Sequence, residues 1–164
     1  MTSDKIIADI TPKHFDQILK INAEFVHWLA PLDRDELIYI LSKASYAKQI
    51  NNAQAILIGY GSDTDYPEHE NLAWLRARFN NFFYIDRIII DPASQGRGLA
   101  KTFYQDFEIH ARNAGYTALT CEVNTLPDNP RSHQFHEAFG FHACGNRDIP
   151  NNGKALRYYH KPLF

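Results

Sequence analysis

Several things are scarce in this chain. Its 164 residues include only two cysteines, Cys121 and Cys144. Two are too few for a disulfide framework, and they lie too far apart, without neighbouring ligand residues, for a zinc knuckle. Both read as small buried hydrophobes rather than reactive thiols. A basic excess is missing as well: 17 Lys plus Arg stand against 19 Asp plus Glu, a formal net charge of -2, which offers no electrostatic footprint for nucleic acid. No apolar run is long enough to span a bilayer, and the opening "MTSDKIIADI" lacks a basic head followed by a long apolar segment. The expectation is a cytoplasmic protein with neither a nucleic-acid nor a membrane partner. With no repeat, linker or low-complexity tract, residues 1–164 are expected to form one domain, large enough to bury roughly 70% of its unfolded surface.

What is present is an alternation of strand and helix patterns. Lys5 to Ile10 reads as a strand, and Thr11-Pro12 supplies a cap and first-turn proline for a helix with Phe15, Ile18, Leu19, Phe25, Val26 and Leu29 on one face and Asn22 set into it. Asp33 and Glu36 form a capping-box pattern for a second helix reaching about Ser45. "YAKQI", Asn51-Asn52 and "AQAILIGY" predict a hairpin. Residues 61–81 are polar at first, with Asp63, Asp65, Glu68 and Glu70, and Leu72 to Phe79 can form a short helix. "FFYIDRIII" is the strongest strand, followed by a helix from Gly98 to Ala114, with His110 on its apolar face as a core histidine. "YTALTCEVN" is a strand, "NPRSHQFHEAFG" a helix capped at Asn129, and a hairpin around "NNGK" closes the chain. The order predicts an α/β or α+β domain on a mixed sheet of about seven strands and about four helices.

The corner "DPASQGRGLAKTF", 91–103, carries the first chemistry. Its glycines permit tight turns, and a helix opening there leaves N–H groups unpaired and suited to an anion. A Walker loop fails at two positions, where Gln95 and Ala100 replace glycines, and the dinucleotide fingerprint fails at Lys101. The pattern Gln/Arg-x-x-Gly-x-Gly/Ala is met in full by Gln95, Gly98 and Ala100.

Together with the later segment "EVNTLPDNPRSHQFHEAFGF", this corner resembles the GNAT-type acetyl-CoA N-acetyltransferase superfamily, with the specific part running from about Tyr84 to Phe141. The resemblance implies a GNAT-like fold with a mostly antiparallel sheet, acetyl-CoA as cosubstrate and no metal. It implies that the backbone of Gln95, Gly96, Arg97, Gly98, Leu99 and Ala100 holds the pyrophosphate, and that Ile88, Ile89 and Ile90 with Glu122 to Asn124 line the pantetheine arm. Asn129 and Ser132 join the donor-binding set. Where the family usually places a tyrosine acid, one residue after the phenylalanine of its second signature, this sequence has His136. Histidine can carry a proton near neutral pH.

Asp86 and Glu122 are the candidates for the base, although Asp86 beside Arg87 also reads as a structural ion pair. His133 and His136 are spaced for a metal but lack a third ligand. Family analogy places the acceptor among Asn22, Trp28, Tyr66, Trp74 and Tyr84. The leading expectation is acetyl transfer to a primary amine of a small molecule or amino acid by direct attack in a ternary complex. The rival is an acyl-CoA-binding module that has lost catalysis. A homodimer is left open.

Overall fold

The computed structural model describes residues 5–164. In chain order the elements are β1 (Ile7–Asp9), α1 (Phe15–Ala23), α2 (Arg34–Lys43), β2 (Tyr46–Ile50), β3 (Ala55–Gly61), α3 (Glu70–Arg76), β4 (Phe83–Ile90), α4 (Leu99–Asn113), β5 (Ala118–Leu126), α5 (Pro130–Ala138), β6 (His142–Ile149) and β7 (Lys154–Pro162), with short 3₁₀ turns at Pro12–His14 and Pro92–Ser94. The strands form one seven-stranded sheet in the order β1-β2-β3-β4-β5-β7-β6. Pairing is antiparallel at β1/β2, β2/β3, β5/β7 and β6/β7, and parallel at β4/β5 through Phe83↔Leu119 and Tyr84↔Thr120. The sheet is therefore mixed and mostly antiparallel, as expected, but the described residues hold five α-helices rather than about four. α3 falls on the short helix expected over Leu72 to Phe79, and its first turn is capped by the His69 ring, Nδ1 accepting from the Leu72 N–H at 3.3 Å.

The first helix is shorter than its apolar periodicity predicts. It stops at Ala23, and the chain continues as turns in which Phe25 N–H bonds Asn22 O and Leu29 N–H bonds Phe25 O. Asn22 explains the break, because its side-chain Nδ2 donates to Ala30 O at 3.2 Å and Arg87 Nη1 donates to that same carbonyl. The second helix begins as the capping box predicts, with Asp33 Oδ1 accepting from Glu36 N–H at 2.8 Å and Glu36 Oε2 accepting from Asp33 N–H at 3.0 Å.

The described chain comprises two compact units: residues up to Tyr60 with Asp86–His110, and Gly61–Ile85 with Ala111–Phe164. In the first, Ile18, Ile21, Leu37, Ile56, Ile58, Phe103 and Phe107 are buried. Tyr46 meets Phe107 edge-on at 5.0 Å and donates its hydroxyl to Asp106 at 2.6 Å. The β2–β3 turn is wider than two asparagines: Asn51, Asn52 and Ala53 all have positive φ, and Gln49 Oε1 holds the Ala53 N–H at 3.0 Å. His110 is exposed, its ring 5.5 Å from Tyr46, so it is not the core histidine that its helical position suggested. In the second unit Leu72, Leu75, Phe82, Phe83, Phe141, Tyr158 and Tyr159 are buried.

Candidate active site

The corner in the first unit is built by side chains that fix its entry and glycines that free its exit. Asp91 N–H donates to Gln54 O at 2.7 Å, Asp91 Oδ1 accepts from Ala93 N–H at 3.1 Å, and buried Ser94 donates to Gln54 Oε1 at 3.1 Å. Gln95 folds back, Nε2 to Ile90 O at 3.3 Å. Gly96 and Gly98 then take φ of 80° and 73°, a region other residues enter only with strain. Thr102 N–H bonds Gly98 O at 3.1 Å, which leaves the N–H groups of Leu99, Ala100 and Lys101 ahead of the helical ladder. A Cβ on Gly96 would meet nothing within 4 Å, and one on Gly98 would lie 3.3 Å from Lys5 Nζ. The corner is thus open, donor-rich and flanked by a cation. Arg97 is exposed, Leu99 and Ile89 are buried, and Ile88 and Ile90 are half-buried.

Arg87 is bonded to the last turn of α1 and to the chain beyond it. Its Nη1 donates to Asn22 Oδ1 and to Ala30 O, while Asp86 Oδ2 accepts from the Tyr60 hydroxyl at 3.5 Å. Both ends of the buried Asn22 amide are hydrogen-bonded within the chain. Trp28 is half-buried in the turn beyond α1, its Nε1 buried without a hydrogen-bond partner.

The second unit carries β5 and α5. At Asn124 the β5/β7 register shifts, and the Asn124 carbonyl accepts from His133 Nε2 at 3.0 Å and from Asn129 N–H at 3.3 Å. The Asn124 Nδ2 is buried with no partner. Asn129 occupies the cap position of α5 without a side-chain bond to the helix; its own N–H is held by Asp128 Oδ1 at 3.0 Å. His133 donates from Nε2 to Asn124 O and toward Asp128, and its Nδ1 accepts from the Tyr159 hydroxyl at 2.5 Å. His136 is 4% exposed, edge-on to Phe141 and stacked at 5.9 Å on Tyr159. Its Nδ1–H donates to the Ser132 carbonyl at 2.7 Å, with Ser132 Oγ at 3.3 Å. Burial pushes its pKa down to about 4 against the opposing Ser132 bond. The ring is neutral at pH 7, with its protonated nitrogen engaged.

Glu122, half-buried on β5, has its Oε1 held by Asn71 Nδ2 at 3.2 Å. The same amide donates to the Tyr84 hydroxyl at 3.3 Å and accepts at Oδ1 from the Tyr158 hydroxyl at 2.6 Å and Arg147 Nη2 at 3.1 Å. Arg147 also reaches Tyr158 at 3.0 Å and Glu70 at 3.2 Å. Burial, then the Glu122 charge, push Tyr158 up to about 12, so its hydroxyl keeps its proton. Trp74 stacks on Tyr158 at 3.9 Å with Arg78 over its ring at 3.5 Å. His69 meets both Tyr66 and Tyr84 edge-on.

The sequence model of the acetyltransferase (GNAT) family matches residues 15–141. The chain belongs to the GNAT family. No curated protein matches it. Among solved structures, Ard1 from Thermoplasma volcanium superposes with a TM-score of 0.76 at 11% identity, covering 99% of this chain and 99% of that one. An N-acetyltransferase from Staphylococcus aureus Mu50 gives 0.72 at 18% identity, covering 99% and 100%. The ribosomal-protein-S18-alanine N-acetyltransferase from Escherichia coli gives 0.71 at 14%, covering 97% and 94%. At these identities the likeness speaks for the fold.

The sequence singled out Gln95 to Ala100, Asn124, Ser132 and His136 as candidates but gave no sign of Asn71, Arg147 and Tyr158, which the structure joins in one hydrogen-bonded cluster with Glu122. Asn71 lies in the first turn of α3, directly after a polar, aperiodic stretch, where no pattern marks one asparagine above its neighbours. Among the described residues there is no group of three or more His, Cys, Asp or Glu able to hold a metal, and no helix long and apolar enough to cross a membrane.

Proposed function

We propose that this GNAT protein is an acetyl-CoA-dependent N-acetyltransferase that acetylates a primary amine of a small molecule or amino acid by direct attack in a ternary complex. The corner at 91–102 carries this reading: Gly96 and Gly98 at positive φ, open space above Gly96 and N–H groups ahead of the α4 ladder suit a pyrophosphate. The orphaned Asn124 Nδ2 suits an amide carbonyl of the pantetheine arm. Acetyl-CoA supplies a thioester whose thiolate is a tolerable leaving group. The Ile88 N–H is assigned to the carbonyl oxygen as it gains charge. Glu122 removes the proton of the attacking amine, with Asp86 as the alternative acting through water. His136 is assigned by the family pattern to the departing thiolate, as a neutral ring whose Nδ1–H is bonded to the Ser132 carbonyl. A net charge of -2 favours a small acceptor over a nucleic acid, and a homodimer is compatible with this reading.

Thiol release from acetyl-CoA, followed across a panel of amines and free amino acids, tests the proposal. Turnover with at least one small amine is the expected result. The second reading, an acyl-CoA-binding module without catalysis, is motivated by His136 standing where the family pattern has a tyrosine. Calorimetric binding of acetyl-CoA with no turnover across the panel would select it.

A further inference from the structure

We infer that Asn71 is the positioning residue for the Glu122 carboxylate, holding it in the orientation from which it takes the amine proton. This rests on the proposed base role of Glu122. An amide has two donor hydrogens and an acceptor oxygen, and here the nitrogen donates to Glu122 Oε1 and Tyr84 while the oxygen accepts from Tyr158 and Arg147. The two ends are chemically distinct. The oxygen faces a phenol that keeps its proton and a guanidinium, which fix which way the amide points. With the oxygen fixed, the nitrogen has to face the carboxylate and Tyr84.

Asn71 sits one residue after Glu70 at the start of α3, and the His69 ring caps that same turn. The amide is therefore carried on a short, anchored helix rather than on a loop. Arg147 binds Glu70 as well as Asn71, which ties β6 to the same turn. A carboxylate that must accept a proton needs its orientation set within a fraction of an ångström. A half-buried glutamate with three rotatable side-chain bonds does not hold such an orientation by itself.

Asn71→Asp separates positioning from folding, because it keeps an oxygen for Tyr158 and Arg147 and replaces only the donor facing Glu122. In the 164-residue chain, with acetyl-CoA and the best amine found in the panel, Asn71→Asp is expected to lower kcat by about 100-fold. The dissociation constant for acetyl-CoA should stay unchanged, and the acidic limb of the rate profile should move to higher pH, because an anionic neighbour replaces a donor to the carboxylate. Glu122→Gln measured alongside should lose activity at least as far. The double variant Asn71→Asp with Glu122→Gln restores a donor and acceptor pair; it should recover the wild-type melting temperature but not turnover. Wild-type kcat and an unmoved profile in Asn71→Asp, with Glu122→Gln impaired, would overturn the positioning role alone. Full activity in Glu122→Gln would overturn the base assignment and the inference with it.

Discussion

His136 shows how much one substitution within a family pattern can change. A buried imidazole with a pKa of about 4 in the folded chain and about 6.5 when unfolded stays neutral on folding where the unfolded chain takes a proton. The stability this contributes is fully present above pH 6.5 and is lost as pH falls toward about 4. The shift corresponds to roughly 3 kcal/mol. In denaturant titrations at pH 7 and pH 4.5, His136→Phe should therefore lose less stability than wild type over that interval. Because a thiolate leaves without much help, the same variant is expected to retain kcat within about tenfold. Gly98 makes the opposite kind of prediction. At φ of 73°, Gly98→Ala introduces about 1–2 kcal/mol of strain, relieved by turning the corner's N–H groups out of aim. Calorimetry should show the acetyl-CoA dissociation constant rising about tenfold.

Among the elements, α3 and β6 depend on a close approach. A Cβ added to Gly145 would lie 2.5 Å from Trp74 Cη2, so the indole would have to leave its stack on Tyr158. Gly145→Ala should cost about 1–3 kcal/mol in urea unfolding, and the near-ultraviolet circular dichroism of the stacked rings should weaken. What was legible in sequence at this scale followed local rules. Asp33 with Glu36 announced α2, and Gln95, Gly98 and Ala100 announced the corner, because caps and turns are written in adjacent residues. The end of α1 was not legible, because Arg87, 57 residues beyond Ala30, helps hold the carbonyl at which the chain turns. His110 was misplaced for the same reason: periodicity marks a face of the helix, and only tertiary structure decides how deeply each turn of that face is covered.

For the whole molecule, ligand linkage provides the broadest check. A donor bound at 100 times its dissociation constant stabilises the native state by about 2.7 kcal/mol. For a chain of this length that should raise the melting temperature by about 5–10 °C. Coenzyme A should reproduce most of the shift and ATP should not. Direct attack in a ternary complex further predicts intersecting, not parallel, double-reciprocal initial-rate lines when both substrates are varied. The fold class was readable from the strand and helix order, and the glycine corner after β4 from its spacing. The Asn71 network was not, since it gathers residues 70, 71, 84, 122, 147 and 158, which no window of sequence brings together. That network also bears on engineering. Redirecting the enzyme by grafting a homologue's stretch between β3 and β4 would exchange Asn71 along with its surroundings. Such a chimera could fold and load its donor yet turn over slowly, and reinstating one asparagine would be the first repair to try.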